Sequence, residues 1–249
     1  MLKPEMVKRY SRQIMVPQFG EQGQEHLLNA HVAIVGLGGL GSPVVQYLAA
    51  SGIGQFTLLD DDVIAVENLH RQLLYRETDV GQRKVDLATR WINQCNPSAT
   101  VTAIAQRLSG VALQQVFDGV DLVLDCTDSF NSRQEVNGAA VASRKAHIVG
   151  TAIRTEGQLI CFDHALSASP CLGCILTPED ASTMTCAESG VLGPVLGVMG
   201  SAMALAALKY LTMPSDYVVN KWQFFDGRKQ SWMSLNIEAN SACSTCGEP

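Results

Sequence analysis

The sequence predicts an α/β fold: a Rossmann-like, mostly parallel sheet with helices on both faces, elaborated by a C-terminal antiparallel part and a four-cysteine zinc site. Three observations predict it. Short apolar strands alternate with helical stretches over the first 150 residues or so, and continuously apolar strands belong to sheets covered on both faces. The stretch "VAIVGLGGLGSPVV" runs from a strand through Gly36-x-Gly38-x-x-Gly41 into a helix. After residue 153 the alternation stops and cysteine pairs appear. A chain of 249 residues buries one good core, so one domain is expected. Its parts would be N-terminal helices at 1–29, a nucleotide-binding part at 30–153 and a zinc-stapled part at 154–249 that elaborates it.

The elements follow in order. Residues 4–15 and 21–29 read as short helices, 31–36 as a strand, 41–51 as a helix and 55–60 as a strand. A helix over 80–95 is closed by "CNP", because the residue before a proline avoids the helical region. Strand 100–107, helix 110–117, strand 121–128, helix 130–144 and strand 147–153 complete the alternation. "EGQLICFD" is a further strand, 163–190 a polar stretch, 191–211 an apolar helix, and "KWQFFDGRKQSWMSLNI" a hairpin with Asp226-Gly227 near its turn.

The glycine loop frees backbone N–H groups to meet phosphate at a helix N-terminus, which makes Gly36, Gly38 and Gly41 nucleotide-binding candidates. Asp60 closes the next strand, where a carboxylate bonds ribose, although Asp61 and Asp62 stand beside it. This much fits NAD and ATP equally. The residues downstream favour ATP. Asn68, Arg71 and Gln72 lie in "VENLHRQ", Lys84 in "GQRKVD" and Arg12 in "YSRQ". A triphosphate is the ligand that calls for several Arg and Lys side chains. Asp128 ends an apolar strand at the carboxyl edge of the sheet, placed to hold Mg²⁺ against phosphates or to cap helix 130–144. Taken singly, Arg71 and Lys84 also read as solvated helix charges.

Eight cysteines in a chain without a signal core point to metal or catalysis. Cys171-x-x-Cys174 and Cys243-x-x-Cys246 supply four thiolates, a structural Zn²⁺ site that would staple the tail to the body. Free or redox cysteines are the alternative. Cys186 lies in a polar loop, where a thiol can reach an activated acyl group, although Glu188 nearby opposes its ionisation. Cys95, Cys126 and Cys161 read as packing residues, and His31, His147 and His164 show no ligand spacing.

A net charge of −6 argues against a nucleic-acid surface, so an anionic ligand must be met by a few placed cations. The polar N-terminus makes cytoplasm the expected location. The Gly- and Ala-rich 191–211 helix lacks a flanking basic cluster, so it reads as a closely packed buried helix at a subunit interface rather than a membrane span.

"RYSRQI", "GLGGLGSP", "LLDDDVIAVENLHRQ", "GQRKVD", "LVLDCTD", "CLGC" and "CSTCG" resemble, in order and spacing, the bacterial ubiquitin-activating-like adenylyltransferases, the ThiF and MoeB enzymes. "ESGVLGPVLGVMG", "RLSG" and "FFDGRKQSW" look more like the ThiF branch. The resemblance implies ATP as substrate and places Gly39, Asp60, Asn68, Arg71, Gln72, Lys84 and Asp128 at its site. It also implies a homodimer in which Arg12 reaches the partner's site. The acceptor would be the C-terminal Gly-Gly carboxylate of a ubiquitin-like sulfur carrier, ThiS-like for thiamine or MoaD-like for molybdopterin. With no sulfurtransferase domain attached, a separate sulfur donor is expected. His70 stands where Gln is common, and Ser129 where Asn often follows the aspartate, which bears on one polar contact near the nucleotide. The rivals are an NAD-dependent dehydrogenase, which lacks an identifiable acid–base group, and a zinc-stapled binding protein without activity.

Overall fold

The computed structural model describes residues 2–176 and 189–247. Cys186 therefore lies outside the described residues. Eight strands form one sheet in the order β3-β2-β1-β4-β5-β6-β7-β8. Strands β1 (His31–Val35), β2 (Gln55–Leu59), β3 (Thr100–Ile104), β4 (Leu122–Asp125) and β5 (Ala146–Ile153) are parallel. Strands β6 (Glu156–Asp163), β7 (Lys221–Asp226) and β8 (Ser231–Asn236) add on antiparallel, β7 and β8 being the expected hairpin. The strand order reverses between β1 and β4, and ligands of open α/β sheets bind at the carboxyl ends there.

Helices α1 (Pro4–Ile14) and α2 (Gly20–Asn29) precede the sheet. One face is covered by α3 (Gly41–Ser51), α4 (Lys84–Cys95) and α7 (Gly193–Thr212), around a core that includes Val44, Leu48, Ile92, Met199 and Met203. The other face is covered by α5 (Gly110–Asp118) and α6 (Phe130–Ala142), through Leu113, Phe117, Val136 and Ala140.

α7 is long and apolar enough to cross a membrane by length and composition alone. Here it packs against the sheet and α3. A Cβ at Gly150 would meet Met203 at 2.1 Å, one at Gly157 would meet Met199 at 2.4 Å, and one at Gly200 would meet Pro43 at 2.3 Å. The small residues on both sides let the helix sit tightly on the sheet.

The three largest shifts of expected boundaries have physical reasons. The helix expected from residue 80 starts at Lys84, because Gly81 has φ +87 and Val63 bridges Arg83 first. The strand expected over 100–107 ends at Ile104, opposite Leu59, where its only partner strand among the described residues ends. The strand expected to 128 ends at Asp125, opposite Val35. In both strands the residues beyond peel away toward the switch point.

Candidate active site

The glycine loop folds on itself at the end of β1. Gly36 has φ +87, and a Cβ there would sit 2.8 Å from the Cys126 carbonyl oxygen. A Cβ at Gly41 would sit 2.2 Å from the Gly36 oxygen, so α3 cannot begin this close to β1 with any other residue. A Cβ at Gly39 would strike Leu196 of α7 at 2.6 Å. A Cβ at Gly38 would instead point at the Gln72 amide, 3.4 Å away. Gly36, Gly38 and Gly39 line a cavity of about 740 Å³, while Gly41 packs behind it.

The cavity opens at the β1/β4 switch point and has the size of a small-molecule site. Four cations line it, Arg71, Lys84, Arg107 and Arg133, together with the carboxylates of Asp60, Asp61, Asp62, Asp128 and Glu135. Asp60 is tied to the loop: one carboxylate oxygen accepts from Leu37 N at 2.7 Å and the other from Asp62 N at 2.9 Å. Burial raises its carboxyl above the ordinary value, against the opposing pull of the Leu37 N–H and Lys84.

Lys84 is 5% exposed and opens α4. A cation at a helix N-terminus opposes the helix dipole. Asp62 offsets this through an ion pair with Lys84 Nζ. Burial acts to raise the Asp62 carboxyl, but the hydrogen bond to Lys84, the charge of Lys84 and the Val63 N–H together outweigh it and lower it. Arg71 Nη1 donates to Glu67 O at 2.7 Å and lies 2.8 Å from His70 Nε2. Gln72 is buried, and among the described residues its Oε1 has no hydrogen-bond partner. A buried orphan oxygen on the cavity wall marks a place for a ligand donor.

Asp128 also lines the cavity, on a firmly held loop. Cys126 N donates to Val35 O, and Thr127 N and Oγ1 both donate to Asp125 Oδ1 at 2.9 and 2.7 Å. Arg133 Nη2 donates to the Thr127 carbonyl at 2.8 Å. Ser129, not Asp128, caps α6, accepting from Ser132 N at 3.2 Å. That corrects the capping alternative for Asp128 and gives Ser129 a structural bond.

Besides Gly41, three expected site residues among the described ones do not line the cavity. Asn68 is buried behind it, its Oδ1 accepting from Ala65 N to close a 3₁₀ turn. Ser129 faces its helix. Arg12 lies on α1, where the neighbouring Gln13 bonds Ser51 O at the far end of α3 from the glycine loop. Conversely, Arg107, 3.7 Å from Asp61, and Arg133 escaped sequence reasoning. Arg133 had one signal: a cation in the first turn of a helix, against the dipole, needs a reason to be there.

The four paired cysteines converge. Cys171 and Cys243 sulfurs are 3.7 Å apart, Cys174 and Cys246 sulfurs 3.4 Å, and all four lie within 4.8 Å of one another. Zinc–sulfur bonds of about 2.3 Å put the corners of a tetrahedron about 3.8 Å apart. The donor set and its spacing fit a structural Zn²⁺. Cys126 and Cys161 are buried and burial pushes both thiols up, Cys161 to about 12, so neither is a reactive thiolate.

The glycine loop, the strand order and the cation-lined cavity define a nucleotide-binding α/β protein, and the chain belongs to the ThiF family, whose profile matches residues 10–245. Its relatives are adenylyltransferases. It is 38% identical to the sulfur carrier protein ThiS adenylyltransferase of Escherichia coli K12, over 96% of this chain and 94% of that one. It is also 38% identical to the molybdopterin-synthase adenylyltransferase of Salmonella typhimurium LT2, over 99% of each chain. The structure of E. coli MccB with ATP superposes with a TM-score of 0.83 at 25% identity, covering 99% of this chain and 77% of that one. The dehydrogenase alternative finds no support among these relatives.

Proposed function

We propose that the protein adenylates the C-terminal Gly-Gly carboxylate of a ThiS-like sulfur carrier with ATP, preparing it to accept sulfur in thiamine biosynthesis. The observation that carries this is one cavity lined by a glycine loop, fixed cations, Asp128 and Gln72, whose Oε1 has no hydrogen-bond partner among the described residues. A carrier's terminal carboxylate has a pKa of roughly 3.5 and is already ionised, so no general base is required. Its oxygen attacks the α-phosphorus of ATP, the bond to the bridging oxygen breaks, and pyrophosphate leaves with the electron pair. The obstacle is an anion approaching a polyanion. Arg71 and Lys84 neutralise the phosphates, Asp60 orients the ribose, and Gly38 and Gly39 let the backbone approach. Asp128 would hold Mg²⁺, which supplies further charge neutralisation at the phosphates.

The two equal identities favour a second reading, the same reaction on a MoaD-like carrier in molybdopterin biosynthesis. ATP–pyrophosphate exchange with ThiS-like and MoaD-like carriers from the same genome decides between them. Exchange with the MoaD-like carrier alone would transfer the enzyme to that pathway.

The further assignments follow from this chemistry. Cys186 serves a later acyl or sulfur transfer fed by a separate sulfur donor, so Cys186→Ala keeps pyrophosphate exchange; loss of exchange in a folded variant would contradict this. The four-cysteine cluster binds one Zn²⁺ per chain. Elemental analysis of purified protein checks it, and a metal-free protein with a normal melting temperature would refute it. The core packing of α7 supports a cytoplasmic enzyme, which fractionation of the native host tests: recovery in the membrane fraction would refute it.

The active form is a homodimer in which Arg12 completes the partner's site. Tyr47, Val198 and Leu205 on the adjoining helices α3 and α7 are exposed, as an uncovered subunit interface would leave them. Arg12→Ala and Asp128→Ala chains, each inactive alone, are expected to regain about a quarter of wild-type activity after mixing, because random pairing leaves one site whole in each mixed dimer. No recovery despite confirmed subunit exchange would rule out the shared site.

A further inference from the structure

Asn137 lies on α6, wholly buried beside the apolar Val136, Ala139 and Ala140. A buried amide left without partners destabilises a fold, so such groups are found hydrogen-bonded. Both ends of this one are taken by the Cys171–Cys174 turn. Leu172 N donates to Asn137 Oδ1 at 2.9 Å, and Asn137 Nδ2 donates to Cys171 Sγ at 3.5 Å. A backbone N–H only donates, so it fixes which end of the amide is oxygen, and the NH₂ must face the sulfur.

Other sulfurs of the cluster receive backbone donors. Cys174 Sγ accepts from Cys171 N and Asn240 N, and Cys243 Sγ from Thr245 N, each at 3.5 Å. Those donors belong to the two cysteine-bearing segments. Asn137 belongs to neither. It reaches Cys171 from the helix whose first turn puts Asn131, Ser132 and Arg133 on the cavity wall. Four thiolates around one divalent cation carry excess negative charge, which N–H donors to sulfur relieve.

We propose that Asn137 is a positioning residue of the metal centre: its amide orients Cys171 as a ligand and anchors the centre to α6. This rests on the zinc reading above. Asn137→Asp keeps an oxygen for Leu172 N but places a carboxylate, rather than a donor, against the sulfur. Asn137→Ser is neutral, smaller and too short to reach both partners.

The test measures zinc release to the chelator 4-(2-pyridylazo)resorcinol from wild type and both variants. It is paired with the sulfur-to-cobalt charge-transfer band of the cobalt-loaded proteins. Release about 10- to 100-fold faster in the variants, with a shifted band, is expected. A role in packing alone would lower the melting temperature without moving the band. If Asn137→Asp does not fold, Asn137→Ser carries the same comparison. Wild-type release rates and an unchanged band in a folded variant overturn the proposal while leaving the zinc reading standing. A wild-type chain that takes up neither zinc nor cobalt overturns both.

Discussion

Replacing Asp128 by alanine is expected to cut carrier adenylation by a factor on the order of 10²–10³ while leaving the fold unchanged. The expectation rests on how the loop is built. The side chains that hold it are those of Asp125, Thr127, Arg133 and Ser129. Among the described residues the Asp128 carboxylate makes no hydrogen bond or ion pair of its own, yet it lines the cavity. Its removal therefore costs charge at the phosphates and little else. Pyrophosphate exchange over a Mg²⁺ titration, with a melting curve alongside, checks this. Undiminished exchange at ordinary Mg²⁺ would refute the metal-holding role.

Lys84→Met is expected to lower exchange by a similar factor, on the order of 10²–10³, with almost no loss of stability. Methionine keeps the buried stem and deletes the charge. The abandoned partner, Asp62, has a side chain 60% exposed, so water takes over its solvation. With Lys84 buried but its carboxylate partner in water, this pair is worth on the order of 1 kcal/mol. Loss of a cation from a helix N-terminus returns roughly 0.3–1 kcal/mol. The two terms nearly cancel in the fold, whereas nothing replaces the charge beside a leaving pyrophosphate. A variant that melts early but exchanges normally would make Lys84 a structural residue.

The parallel half of the fold was legible because its signals are local. Apolar runs marked the strands, and the glycine loop marked the first crossover. Strand ends were less legible, because β3 and β4 stop where β2 and β1 stop, and partner length is not written in a strand's own residues. In "LVLDCTD" two aspartates sit three residues apart, and only the structure separates their roles. Asp125 is fully buried under α6. Burial alone would raise its carboxyl, but His147, with a ring nitrogen 3.8 Å away, Arg133 and Thr127 together hold it below the ordinary value. Asp128 faces the cavity. Lys84 and Arg71 stand out by motif and charge, whereas Arg107 reads as an ordinary surface cation, and Arg133 only as a cation set against a helix dipole, until the loop after β3 and the first turn of α6 are folded around the switch point. The cysteine pairs were legible from CxxC spacing, but the Asn137 contact was not, since α6 and the Cys171 turn meet only through the tertiary fold.

The most direct test of the account is ATP–pyrophosphate exchange with a carrier ending in Gly-Gly, compared with the same carrier lacking its last glycine. The reaction proposed here needs a free carboxylate delivered to the α-phosphate at the end of a chain of fixed reach. Exchange is therefore expected with the intact carrier, in proportion to its concentration, and not with the shortened one. Equal exchange with both, or none with any intact ThiS-like or MoaD-like carrier under conditions where ATP binds, would contradict adenylation of the carrier's C-terminus as the function of this cavity.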